Sequence, residues 1–183
     1  MHRNRTHRHH TIFNDQTVHM KIVVDANVII DATDENSYNY DNAKRLFEMH
    51  ESGRVKIFIS RHTESELCSE KARDIGSNLF KLPHYPIGLW DQQVCNWNGA
   101  RGIWGDAKRN EEINSDLERL ACSGDDIRDR GAYIDALKFG ADVFVTSDKH
   151  LVGNGPAGRI GTKFGLRILQ PKDIINELNR KGA

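Results

Sequence analysis

Two short apolar runs, far apart in the chain, each lead into an aspartate. The first, Lys21–Val24, is followed by Asp25, and the second, residues 143–147, is followed by Asp148. Short runs rich in β-branched and aromatic residues are typical of buried strands in a parallel sheet. The carboxyl ends of parallel strands meet at one edge, where open α/β sheets bind their ligands. The two carboxylates are therefore expected to lie close together.

Two carboxylates at close range indicate a cation site. Like charges repel unless a cation lies between them or one of them is protonated. Oxygen ligands favour a hard divalent ion, so Mg²⁺ or Mn²⁺ is the expected cofactor.

The rest of the chain alternates strands with helices. Further strands are predicted at residues 55–60, 143–145 and 167–169, and helices at residues 42–51, 63–73, 107–121, 129–139 and 172–179. Residues 153–165 are predicted to form a glycine-rich loop. This alternation predicts an α/β fold, a three-layer α/β/α sandwich around a parallel sheet of four to five strands.

The composition indicates a soluble, cytoplasmic protein. It has 183 residues, 38% hydrophobic and 28% charged, which suffices for one core. No run approaches the roughly 18–20 apolar residues of a membrane span, and no secretory signal is recognisable. The 26 basic and 26 acidic residues balance, so any nucleic-acid-binding surface must be local. Three widely spaced cysteines indicate neither a disulfide framework nor a zinc site.

Two segments stand apart from a single domain predicted over residues 20–183. Residues 1–19 are rich in Arg and His and predict a disordered, tag-like leader, with a metal-binding or nucleic-acid-binding arm as the alternative. An aromatic and glycine-rich insertion at about residues 81–105 contains Trp90, Trp97 and Trp104. These side chains are expected to pack onto the core; a base-stacking or dimer surface is the alternative.

One glutamate is expected to join the two aspartates. On a helix, Glu64 and Glu66 lie about 200° apart, so only one of them can face the strand ends. Glu66 precedes Leu67 and is assigned to the buried side, which leaves Glu64 to solvent. Glu70, one turn later, is the competitor.

A further aspartate is expected where the helix before the second run begins. Asp129 and Asp135 are about 120° apart on that helix, so they are not expected to share a site. Asp129 lies at the level of the strand ends and is assigned to the site. Its alternative role is a helix N-cap.

Three stretches, VVDANVII, FISRHTESEL and DRGAYIDALKFGADVFVTSDKHL, give the chain a family resemblance. Over residues 20–180 it resembles the PIN-domain metal-dependent ribonucleases, including VapC-type toxins. Four acids recur in that family: one closes strand one, one precedes Leu in the second helix, one opens a later helix, and one follows a strand ending in Thr-x. The matching residues, as catalytic groups and metal ligands, are Asp25, Glu66, Asp129 and Asp148.

The resemblance implies a magnesium- or manganese-dependent endoribonuclease that acts on single-stranded or structured RNA. Asn27 would support the site, and Thr146 or Ser147 would orient Asp148. The implied partners are an antitoxin protein and a second copy of the chain in a homodimer. Basic residues next to the acids would contact substrate phosphate, and these are Arg61, Arg128, Arg130 and Lys149.

Other functions are less consistent with the residues. Phosphatases of the haloacid-dehalogenase type need a second Asp two positions after the first, where this chain has Asn27. A non-catalytic RNA-binding or assembly module that retains the nuclease fold is the alternative from another class. Among nucleases, a toxin and a housekeeping RNA-processing enzyme both fit. Toxicity on induction, relieved by a co-encoded small protein, would separate the two.

Overall fold

A computed structural model describes residues 20–67, 85–86, 107–122, 131–153 and 155–181. The strands are β1 (Lys21–Val24), β2 (Lys56–Ile59), β3 (Tyr85–Pro86), β4 (Val143–Val145) and β5 (Arg167–Leu169). The helices are α1 (Ala26–Thr33), α2 (Tyr40–Glu51), α3 (Arg61–Leu67), α4 (Ala107–Cys122), α5 (Gly131–Phe139), α6 (Pro156–Lys163) and α7 (Pro171–Lys181). The predictions for the leader, the three tryptophans, Glu70, Arg128, Asp129 and Arg130 lie outside the described residues.

The five strands form one parallel sheet in the order β3-β2-β1-β4-β5. Alternate residues of each strand point to opposite faces. Val24 and Val145 enter a core with α1, α2 and α7, whereas Val23 and Phe144 enter a second core with α4, α5 and α6. Helices therefore cover both faces, and the predicted three-layer α/β/α sandwich with a central parallel sheet is confirmed.

The order of the strands reverses between the neighbouring strands β1 and β4. From β1 the chain continues to β2 and β3 on one side, and from β4 it continues to β5 on the other. β1 is followed by α1 on one face, and β4 is followed by α6 on the other. Ligand sites of open α/β sheets form at such switch points, outside the carboxyl ends of the strands. The fold thus brings Asp25 and Asp148 to the expected edge.

Two helices correct the interpretation of the sequence. The predicted glycine-rich loop at residues 153–165 is wrong, because α6 lies within it and buries Ala157 and Ile160. Pro156 at its first turn needs no hydrogen-bond donor there, which favours a helix start. Residues 27–33, assigned to no element from the sequence, belong to α1, which is capped by Asp25. In the described part of the chain no helix combines the length and apolarity of a membrane span.

Candidate active site

Asp25 is held at the junction of β1 and α1 by several donors. Its Oδ1 accepts a hydrogen bond from the backbone N–H of Ala26 at 2.8 Å. Its Oδ2 accepts one from the hydroxyl of Thr146 at 2.7 Å and a longer one, at 3.4 Å, from the amide of Asn27. Asn27, predicted to support the site, and Thr146, predicted as an alternative to Ser147 to orient Asp148, both donate to Asp25. These donors restrain the carboxylate.

Glu66 on α3 shares a pocket with Asp25. The pocket has a volume of about 90 Å³, and its lining also includes Asn27, Gly131 and Leu151. Glu66 is nevertheless more exposed than Glu64, the reverse of the burial expected from its position before Leu67. The pocket is open to solvent, so a side chain facing it stays exposed.

Asp148 is linked to Asp25 through one side chain. The Thr146 hydroxyl that donates to Asp25 also accepts the backbone N–H of Asp148 at 3.0 Å. The carboxylate of Asp148 accepts the backbone N–H of His150 at 2.9 Å. A single hydroxyl therefore fixes the positions of two acids that lie 123 residues apart, and Thr146 itself is fully buried.

A second polar cluster, which the sequence does not predict, lies behind Asp148. Asp31, near the end of α1, accepts hydrogen bonds from the hydroxyls of Ser37 and Ser147 and from the amide of Asn39. Asn39 also donates to Ser147 at 3.3 Å. Ser147, the alternative to Thr146 as the residue that orients Asp148, donates its hydroxyl to Asp31. Asp31 anchors the segment that follows β4.

We expect Asp31→Ala to destabilise the protein and to impair its activity. Hydrogen bonds to a charged group contribute about 1.5–3 kcal/mol each, and these are only half-buried, so a loss of about 2 kcal/mol in unfolding free energy is expected. For a chain of this size that lowers Tm by about 4–8 °C. Activity should fall by about tenfold, because groups that orient a site typically contribute 10–100-fold.

Asp34→Ala is the matched control for this change. Asp34 lies three residues later on the same stretch, is exposed, and accepts hydrogen bonds from the backbone and side chain of Asn36. Its replacement should leave Tm and activity near those of the unsubstituted protein. Equal melting temperatures for the two variants, measured by circular dichroism, would show that the Asp31 cluster anchors nothing.

A histidine and a buried aspartate meet beside the pocket. Nδ1 of His62 on α3 lies 2.8 Å from Oδ2 of Asp135 on α5. The imidazole is 57% exposed, whereas the Asp135 side chain is only 5% exposed. Burial raises the pKa of the Asp135 carboxyl above its ordinary value of 3.8, although the hydrogen bond with His62 acts in the opposite direction. Asp135 is not among the described residues that line the pocket.

The pocket offers oxygen ligands to a metal ion. Among its described lining residues, the charged ones are the carboxylates of Asp25 and Glu66, and none is basic. Within the described ranges, no group of three or more His, Cys, Asp or Glu side chains forms a ready metal-binding cluster. Mg²⁺ commonly binds through one or two carboxylates and completes its shell with water and substrate phosphate. The residues present therefore fit Mg²⁺ or Mn²⁺.

Two of the four predicted phosphate contacts, Arg61 and Lys149, are among the described residues. Arg61 and Lys149 are exposed, and neither is among the described residues that line it. His62 lies closer, because its ring packs against Gly131, a lining residue. In the sequence, His62 precedes Glu66 by four residues, which places both side chains on one face of a helix. That spacing is the feature from which the position of His62 beside the pocket could have been predicted.

A comparison with solved structures includes a weak structural similarity. No protein-family model matches the chain, and no curated protein matches it. Among solved structures, the chain is similar to VapBC2 from Rickettsia felis, crystallised with a DNA fragment from the promoter of its own genes. The two are 16% identical over 82% of this chain and 98% of the other, with a TM-score of 0.48. A similarity at this level identifies neither a family nor an activity.

Proposed function

We propose that the protein is a metal-dependent endoribonuclease that hydrolyses RNA phosphodiester bonds. One observation carries the proposal: Asp25 and Glu66, from separate elements, line one pocket at the carboxyl edge of the sheet. Asp148 is tied to the same position through Thr146. RNA as the substrate follows from the resemblance to PIN-domain ribonucleases in the stretches around these acids. A role as the toxin of a toxin–antitoxin pair belongs to the same proposal.

Asp25 and Glu66 would hold the metal ion, and Asp148 and Asp129 would complete its shell or hold a second ion. A bound divalent ion supplies activated water for attack on phosphorus and neutralises charge on the scissile phosphate. The pocket is small and open, so the substrate phosphate can contribute ligands alongside water. An ion with water and phosphate ligands needs only one or two protein carboxylates, which is what the described lining provides.

The contribution of the chain itself is to place the acids before substrate arrives. Thr146 and the backbone N–H of Ala26 hold the two oxygens of Asp25. The backbone N–H of His150 holds Asp148. Charges that are already in position need no rearrangement during the reaction. Most of the rate enhancement in electrostatic catalysis comes from this preorganisation.

The proposal predicts RNA cleavage that depends on a divalent ion. Purified protein incubated with labelled RNA should cut it in Mg²⁺ or Mn²⁺ and should lose activity in EDTA, because the acids alone activate no water. Activity should return when Mn²⁺ is added in excess. Labelled DNA in parallel reports the substrate class.

Two results would contradict this prediction. Cleavage that persists in EDTA would mean that the acids do not work through a metal ion. Binding of RNA without cleavage in Mg²⁺ or Mn²⁺ would favour the non-catalytic RNA-binding module instead.

A further inference from the structure

RNA bound over the pocket would need polar contacts in addition to its two acids. An RNA backbone carries a negative charge at every phosphate and needs hydrogen-bond donors to bind. The charged residues described in the pocket lining are both acids. Among the described side chains next to this lining, His62 packs against Gly131 and carries a polar ring atom beyond that contact.

His62 is directed to the rim by contacts on two sides. It precedes Glu66 by one turn of α3, so both side chains lie on the same helix face. The Cγ and Cδ2 atoms of its ring pack so closely on Gly131 that a Cβ at that position would overlap with them. Gly131 itself lines the pocket. Nε2 is bonded to Cδ2, the ring atom in contact with Gly131.

Asp135 determines which nitrogen of His62 is available to a ligand. It occupies Nδ1, so Nε2 is the remaining polar atom of the ring. That nitrogen can donate to a phosphate oxygen or accept from a ribose hydroxyl, because an imidazole nitrogen can take either role.

We propose that His62 is a substrate-contacting residue whose Nε2 forms a hydrogen bond with the sugar–phosphate backbone of RNA bound over the Asp25–Glu66 pocket. Asp135 is its positioning residue. This inference rests on the proposed function. The 57% exposure of the ring leaves room for a ligand, whereas a bond that served only to join α3 to α5 would not need an exposed imidazole.

Binding is best measured without cleavage, in the Asp25→Asn background with Mg²⁺ at constant salt. The probe is a fluorescein-labelled single-stranded RNA of mixed sequence, followed by anisotropy. We expect His62→Ala to raise Kd by about tenfold, which corresponds to about 1.4 kcal/mol. His62→Phe, which keeps a ring on Gly131 but removes both nitrogens, should raise Kd equally. Lys56→Ala, which removes an exposed charge at the opposite edge of the sheet, should leave Kd unchanged.

The positioning role of Asp135 has its own readout. Asp135→Asn should raise Kd when His62 is present but not when it is combined with His62→Ala, because Asp135 acts only through the imidazole. With Asp25 restored, His62→Ala should raise KM for RNA and leave kcat largely unchanged, as expected for lost ground-state binding. A purely structural His62–Asp135 bond would change Tm and would move neither Kd nor KM.

The outcomes separate this inference from the proposed function. If the unsubstituted protein cleaves RNA but His62→Ala and His62→Phe leave Kd and KM unchanged, the nuclease assignment stands and the role of His62 is wrong. If the unsubstituted protein cleaves no RNA, both fall. An equal effect of Asp135→Asn with and without the His62→Ala substitution would overturn the positioning role.

Discussion

Asp25→Asn is expected to lower RNA cleavage by more than about 100-fold, because mutation of groups that only orient metal ligands already costs 10–100-fold. The change removes the charge that would hold the ion but keeps the shape of the side chain. Cleavage of labelled RNA in Mg²⁺, compared at equal protein concentration, measures the effect.

The fold should tolerate this substitution. Asn caps helices as well as Asp does, so its Oδ1 can still accept the N–H of Ala26 at the start of α1. Its Nδ2 can donate to Thr146, whose hydroxyl accepts as well as donates. Tm should therefore stay within about 4 °C of the unsubstituted protein, a difference of roughly 1–2 kcal/mol.

Asp142→Asn is the matched control. Asp142 also lies beside a strand and accepts a backbone N–H, that of Lys21 at 2.7 Å, but at the amino end of β4. Loss of one negative charge there should leave cleavage unchanged. If both variants cleaved RNA at the same rate, the catalytic edge of the sheet would have been misassigned.

The sheet and the position of the site follow from local features of the sequence. The apolar runs at β1, β2 and β4 are too short and too rich in β-branched residues for buried helices, and parallel pairing then places Asp25 and Asp148 at one edge. Helix α1 escapes prediction because Val28, Ile29 and Ile30 have low helix propensity. Capping by Asp25 and burial against the sheet outweigh that preference.

The polar clusters around the site could not be predicted from the sequence, because they join distant segments. Asp31 and Ser147 are separated by 116 positions, and His62 and Asp135 by 73. Nothing in the residues next to each one indicates its partner. From the sequence, Arg61 is preferred to His62 as a phosphate contact because arginine carries a formal charge. The packing of the His62 ring on Gly131 can be recognised only in the structure.

Gly158→Ala is expected to destabilise the protein, against what helix propensity alone predicts. Gly158 lies inside α6, where Ala is favoured over Gly by about 1 kcal/mol. A Cβ on Gly158, however, would overlap with the backbone carbonyl oxygen of Gly153, which belongs to the loop leading into α6. Overpacking of this kind costs about 1–3 kcal/mol or more, and a backbone atom moves less easily than a side chain.

The net loss in unfolding free energy should be about 1–2 kcal/mol, which lowers Tm by about 2–8 °C. Gly155→Ala provides the contrast in packing, because its Cβ would lie 3.9 Å from the carbonyl oxygen of His150, an ordinary contact. Its Tm should fall only by the cost of Ala at the N-cap of α6, and less than that of Gly158→Ala. A rise in Tm for Gly158→Ala, measured by differential scanning calorimetry, would mean that propensity prevails and that no close approach exists. The loop that must shift also carries Asp148 and Leu151, so the destabilised variant should lose RNA cleavage as well.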